Sequence, residues 1–131
     1  MERLSSAGLL VSRIFLSSIF LFAGVNKVFA FTATQGYMAA QGMKMTALFL
    51  VLAILVEIGG GLSVLLGFFP RLGALALFLF LVPVTLVFHR NVSDPVQLGH
   101  VASNVAVMGG LMAIVSVGGG MFSVGAKKGA K

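Results

Sequence analysis

The chain has 131 residues, 59% of them hydrophobic and only 9% charged, with a formal net charge of +6. That leaves too little polar surface to cover a water-soluble globule, so the composition is that of an integral membrane protein in contact with the lipid bilayer. Cysteine is absent, which excludes thiol redox chemistry, disulfides, cysteine-ligated iron–sulfur clusters and covalently attached c-type haem within this chain.

The basic residues stand singly at the ends of apolar runs instead of forming a patch. That is the pattern of topology signals, and it speaks against nucleic acid as a partner. Apolar runs at residues 9–29, 48–66, 72–88 and 98–117 are each near the roughly 20 residues that a helix needs to cross the hydrocarbon. The expected fold is all-α: an integral membrane four-helix bundle forming one domain over 1–131, with 118–131 as a basic, mobile tail.

In the first run Arg13, Ser17, Phe20, Gly24 and Lys27 fall on one helical stripe, with Asn26 beside it. Arg13 and Lys27 are about 21 Å apart along the axis, so each is read as reaching toward its own interface. Residues 28–30 could pass as a signal-peptidase site, but Arg13 within the run and Lys27 just before the site predict a retained span. Residues 31–46, FTATQGYMAAQGMKMT, lose the continuous apolar run and read as a connector with one interfacial turn near Tyr37.

The second run, LFLVLAILVEIGGGLSVLL, carries Glu57 near its middle. An ionisable group at the centre of a membrane helix costs roughly 2.5 to 3.5 kcal/mol on insertion scales, so it faces a protein interior, a water cavity or a partner charge. Glu57 is therefore either a working site or a polar fastener between helices. Small residues on two faces of this helix let neighbours approach on both sides. Gly67 and Pro70 then predict a tight hairpin into the third run, which Pro83 should kink.

His89 and Arg90 belong to a polar loop, after which Gln97, His100 and Asn104 form one stripe at the start of the last helix. Ala102, Ala106 and Gly110 make a small-residue ridge on a neighbouring face, and a homo-oligomer is among the possible assemblies. Arg3, Arg13, Arg71 and the tail lysines lie on one side, with Lys27, Lys44 and Arg90 on the other, which predicts cytoplasmic termini. Asn26, Lys27, Tyr37, His89, Gln97, His100 and Asn104 should then gather in the outer half, above Glu57.

If the spans are centred alike, Lys27 and Glu57 differ in depth by about 10 Å, which two long side chains can nearly close. Glu57, Lys27 and His89 are the candidate proton carriers, and Asn26, Gln97, His100 and Asn104 the candidate hydrogen-bonding groups for a quinone. Both histidines sit at span ends, which disfavours haem between them, and no spacing suited to a metal site is present.

Arg13 followed by FLFAGVNKVFAF, then GYMAAQGM, then EIGGGLSVLLGFFPRLGAL and finally NVAVMGGLM together resemble the DoxX family of small four-span bacterial membrane proteins, over nearly the whole chain. The matched positions are Arg13, Gly24, Lys27, Glu57, Gly60, Gly67, Arg71 and Asn104. The resemblance implies a bacterial inner-membrane subunit of an oxidoreductase or redox complex, acting with quinone or a redox partner enzyme. Two other readings stand beside it: a non-catalytic scaffold of a larger complex, and a small proton-coupled transporter.

Overall fold

The computed structural model describes residues 2–88 and 93–124. It consists of five helices, α1 (Glu2–Phe29), α2 (Phe31–Ala40), α3 (Thr46–Leu66), α4 (Pro70–Phe88) and α5 (Pro95–Val117). All but α2 are long and apolar enough to cross a membrane. His89, Arg90 and the lysines at 127, 128 and 131 lie outside the described residues.

Local chemistry sets the helix ends. The α3 helix stops at Gly67, whose φ of 75° is left-handed, and the N–H groups of Gly67 and Phe68 both return to the Ser63 carbonyl. The Ser63 hydroxyl donates to the Phe68 carbonyl at 2.7 Å, and Pro70 opens α4. At the start of α5 the Asp94 carboxylate accepts the Val96 N–H at 3.0 Å, with Pro95 in the first turn.

Packing follows chain order. The α3 helix lies between α1 and α4, α5 packs on α4, and α1 meets α5 over a shorter stretch. Glycine allows these approaches: a Cβ at Gly61 would stand 2.9 Å from Leu21 of α1, and one at Gly60 would stand 2.8 Å from Leu77 of α4. The core is built from Phe20, Val64, Leu77, Leu81, Leu111 and Ile114, contributed by all four long helices. Phe20 and Val64 lie about 10 Å along their helices from Lys27 and Glu57, so the core fills the half of the bundle nearer the termini.

Two features differ from the sequence expectations. The stretch after Phe29 is no simple connector: α2 is a ten-residue helix that follows α1 after a break at Ala30. Contacts along α3 pair Arg13 with Gly67, Leu21 with Gly61, Gly24 with Glu57, and Gln35 with Thr46 through a side-chain hydrogen bond of 3.2 Å. These pairs run at the same pace in opposite directions, so α2 continues the antiparallel register of α1 along α3. The two spans are accordingly not centred alike, because the residues of α1 before Arg13 extend past the end of α3.

The second difference is the segment after α5. Residues 118–124 cross under the bundle: Met121 N–H donates to Ser6 Oγ at 3.0 Å, Val124 N–H to the Leu66 carbonyl at 2.9 Å, and Arg13 Nη2 to the Phe122 carbonyl at 2.6 Å. Arg13, 1% exposed, does not reach toward an interface. It sits where α3 and α5 end, and their carbonyl-rich C-terminal dipoles favour a cation there. Nε and Nη1 make no hydrogen bond among the described residues.

Gly67→Ala should lower thermal stability in detergent by at least ~1 kcal/mol, the left-handed penalty for a residue with a Cβ, because the new methyl would also collide with Ser123. Gly59→Ala, which meets open space, serves as the control. Equal melting temperatures for the two variants would refute this account of the α3–α4 turn.

Candidate functional site

Glu57 is 5% exposed and lies about 16 Å along α3 from Thr46. In the offset register it comes level with the last turn of α1. Gly24 makes this possible, since a Cβ there would stand 3.3 Å from Glu57 Cβ and closer still to Ile58. Lys27, one turn further along the same α1 stripe, then reaches the carboxylate: Nζ donates to Oε2 at 3.2 Å and lies 3.0 Å from Oε1. The shorter contact, with Oε1, lacks hydrogen-bond geometry, and among the described residues that oxygen has no other hydrogen-bond partner. The Lys27 side chain is 27% exposed and has further N–H groups to give.

Beside the pair is a cavity of about 540 Å³. Besides Lys27 of α1, three helices wall it. The α2 helix contributes Thr34, Tyr37 and Met38; α3 contributes Leu50, Ala53 and Val56; and α4 contributes Phe80, Val84 and Val87. Lys27 and Glu57 supply the charged groups of an otherwise largely apolar lining. The volume falls within the roughly 300–1,000 Å³ of pockets that enclose ligands of drug size.

Thr34, Tyr37 and Met38 share one face of α2, and Lys27 would share it too if α1 ran straight on. Sequence patterning does not mark Ala53, Val56 or the α4 wall as site residues, because apolar side chains carry no chemical signature. The α2 stripe is visible in sequence once helical spacing is continued through residue 30.

The other polar residues go elsewhere. Asn104, half-buried on α5, donates to Thr85 Oγ1 of α4 at 3.0 Å and joins those two helices. Gln97 and His100 lie at the start of α5, half-buried and exposed respectively, and Asn26 is exposed on α1. None of these four lines the cavity. The expected single polar cluster is thus split by α4, since α5 packs on α4 and among the described residues its backbone nowhere comes within 8 Å, Cα to Cα, of α2 or α3. His89 falls outside the described residues. Of the α5 ridge, Ala102 and Ala106 are exposed, whereas Gly110 is turned inward against Leu16 of α1.

The DoxX family model matches residues 8–90, well over half of the chain and all of the Lys27–Glu57 site. The chain belongs to the DoxX family. It is 35% identical over 124 residues to the Escherichia coli K12 inner membrane protein YqjF, covering 95% of this chain and 94% of that one. It is 27% identical over 121 residues to a second protein of that strain, inner membrane protein YphA, covering 88% and 86%. No solved structure matches the chain. Family membership, four spanning helices and a buried ion pair agree on an integral membrane protein.

The ion pair also bears on stability. Lys27→Met leaves Glu57 buried without its partner and should destabilise the bundle by about 3 kcal/mol or more. The double variant Lys27→Met/Glu57→Leu should regain most of that loss, because an apolar pair of similar volume is tolerated where one unpaired charge is not. Unfolding of the four members of this cycle in detergent measures the coupling, and a value near zero would mean that the contact does not hold the helices.

Proposed function

We propose that this DoxX-family protein is the membrane subunit of a quinone-linked oxidoreductase of the bacterial inner membrane, with both termini cytoplasmic and the cavity in the outer half. One observation carries the reading: a largely apolar cavity of about 540 Å³ with a Lys27–Glu57 ion pair in its wall. Such a wall suits a molecule with a small polar head and a long apolar remainder. When bound, a quinone supplies two-electron, two-proton chemistry. Lys27 is the donor for a head-group oxygen, and Glu57 accepts a hydroxyl proton or hands one over. The apolar walls on α3 and α4 keep bulk water from the pair. Electrons come from a redox partner enzyme, so the protein acts within a complex.

A second reading is favoured by the same ion pair. Lys27 and Glu57 join α1 to α3, and a bundle held in this way could serve as a non-catalytic scaffold, alone or as a homo-oligomer through the exposed Ala102–Ala106 face of α5.

Mass spectrometry of the protein purified gently with its lipids separates the two. The oxidoreductase reading expects stoichiometric quinone that falls at least several-fold in Glu57→Gln. A lipid extract free of quinone, together with recovery of a partner protein that depends on Glu57, would replace it with the scaffold.

A further inference from the structure

In a bundle that spans the bilayer, the charged end of the cavity lies deep, and the lining between it and the start of α3 is largely apolar. Glu57 is about 16 Å along α3 from Thr46, with Leu50, Ala53 and Val56 lining the way. An ordinary membrane lipid is arranged in the opposite sense, with its head at the interface and its chains at depth. Any occupant whose polar group meets Lys27 and Glu57 must therefore carry that group through hydrocarbon.

Charge restricts the occupant further. Lys27 and Glu57 neutralise each other at 3.0 Å, so the cavity wall offers a phosphate or ammonium group no counter-charge. Taking an ionised group to this depth uncompensated is prohibitive. A neutral group is different: a hydroxyl has a donor suited to the Glu57 carboxylate and an oxygen suited to Lys27.

The route is set by the packing. The α2 and α4 helices wall the cavity from two sides, and among the described residues their backbones nowhere come within 8 Å Cα to Cα. Phe49, Leu52 and Pro83 line the cavity and are themselves exposed, at positions facing hydrocarbon in a spanning bundle.

We propose that the cavity takes an uncharged amphiphile sideways from the bilayer, polar group first, with its chain trailing outward between α2 and α4, and that it excludes phospholipids. This deepens the quinone reading and rests on the same site, but it names the class by head-group charge and orientation and includes neutral lipids that are not quinones. Ala53, one turn from Glu57 on the same face, sets the size of the head that fits.

The protein carries its own reporter, because Tyr37 lines the cavity and the chain has one tyrosine and no tryptophan. In detergent micelles, decylubiquinone should quench Tyr37 fluorescence saturably. Monooleoylglycerol, with its neutral hydroxyl head, should reverse the quenching, whereas the same concentration of anionic lyso-phosphatidylglycerol with the same chain should not. Ala53→Phe should weaken the saturable component at least tenfold while its melting temperature and helical circular dichroism stay near those of Ala53→Ser.

Equal displacement by the two single-chain lipids overturns the selection for a neutral head and leaves the quinone reading standing. Protection of the protein against thermal unfolding by monooleoylglycerol but not by lyso-phosphatidylglycerol, with no saturable quenching by decylubiquinone, does the reverse. Quenching that only rises linearly with quinone and is unmoved in Ala53→Phe, with neither lipid protecting, removes both.

Discussion

A carboxylate in hydrocarbon has to be paired, and in this protein the pairing of Glu57 with Lys27 fixes how far α1 slides along α3. Once those residues are level, Arg13 falls beside the end of α3 at Gly67 and the start of α1 overhangs the bundle. After the break at Ala30, α2 carries the antiparallel course of α1 on to the start of α3. The cavity lies beside this composite helix, between α2, α3 and α4.

The two ends of the bundle solve the problem of buried polarity differently. Near the termini, Arg13 takes the Phe122 carbonyl and the C-terminal dipoles of two helices, and residues 118–124 fold across it. That closed end packs on the core around Val64, Leu77 and Leu111. Toward α2 the charge is compensated by a side chain of opposite sign, while the space beside it is left unfilled. One half is built for rigidity and the other has room for a ligand. A binding reading of the DoxX-family site depends on that asymmetry, because a fastener alone would need no cavity beside it.

The position of α4 explains why so much of the polar inventory stays out of the site. Its cavity face carries Phe80, Val84 and Val87, while Thr85 takes the hydrogen bond from Asn104 of α5. Gln97, His100 and Asn104 are thus held on the α5 side of a wall, and Asn104 acts as a tie between helices.

The amino-acid sequence by itself determined the membrane environment, the all-α class, the four long spans, the α3–α4 hairpin and the need of Glu57 for an enclosed or paired setting. These follow from composition, periodicity, the Gly67 and Pro70 stop and start signals, and the insertion cost of a carboxylate, none of which needs distant contacts. Only the tertiary structure decided the register of α1 on α3, the helical course of α2, the burial of Arg13 under the chain's end and the separation of Asn104 from Lys27. The reason is that helical periodicity specifies which face a residue occupies, whereas its depth is set by a neighbouring helix. The Gly24–Glu57 approach and the Lys27 contact fix that depth here, and the apolar walls of the cavity become recognisable only once three helices have been brought around them.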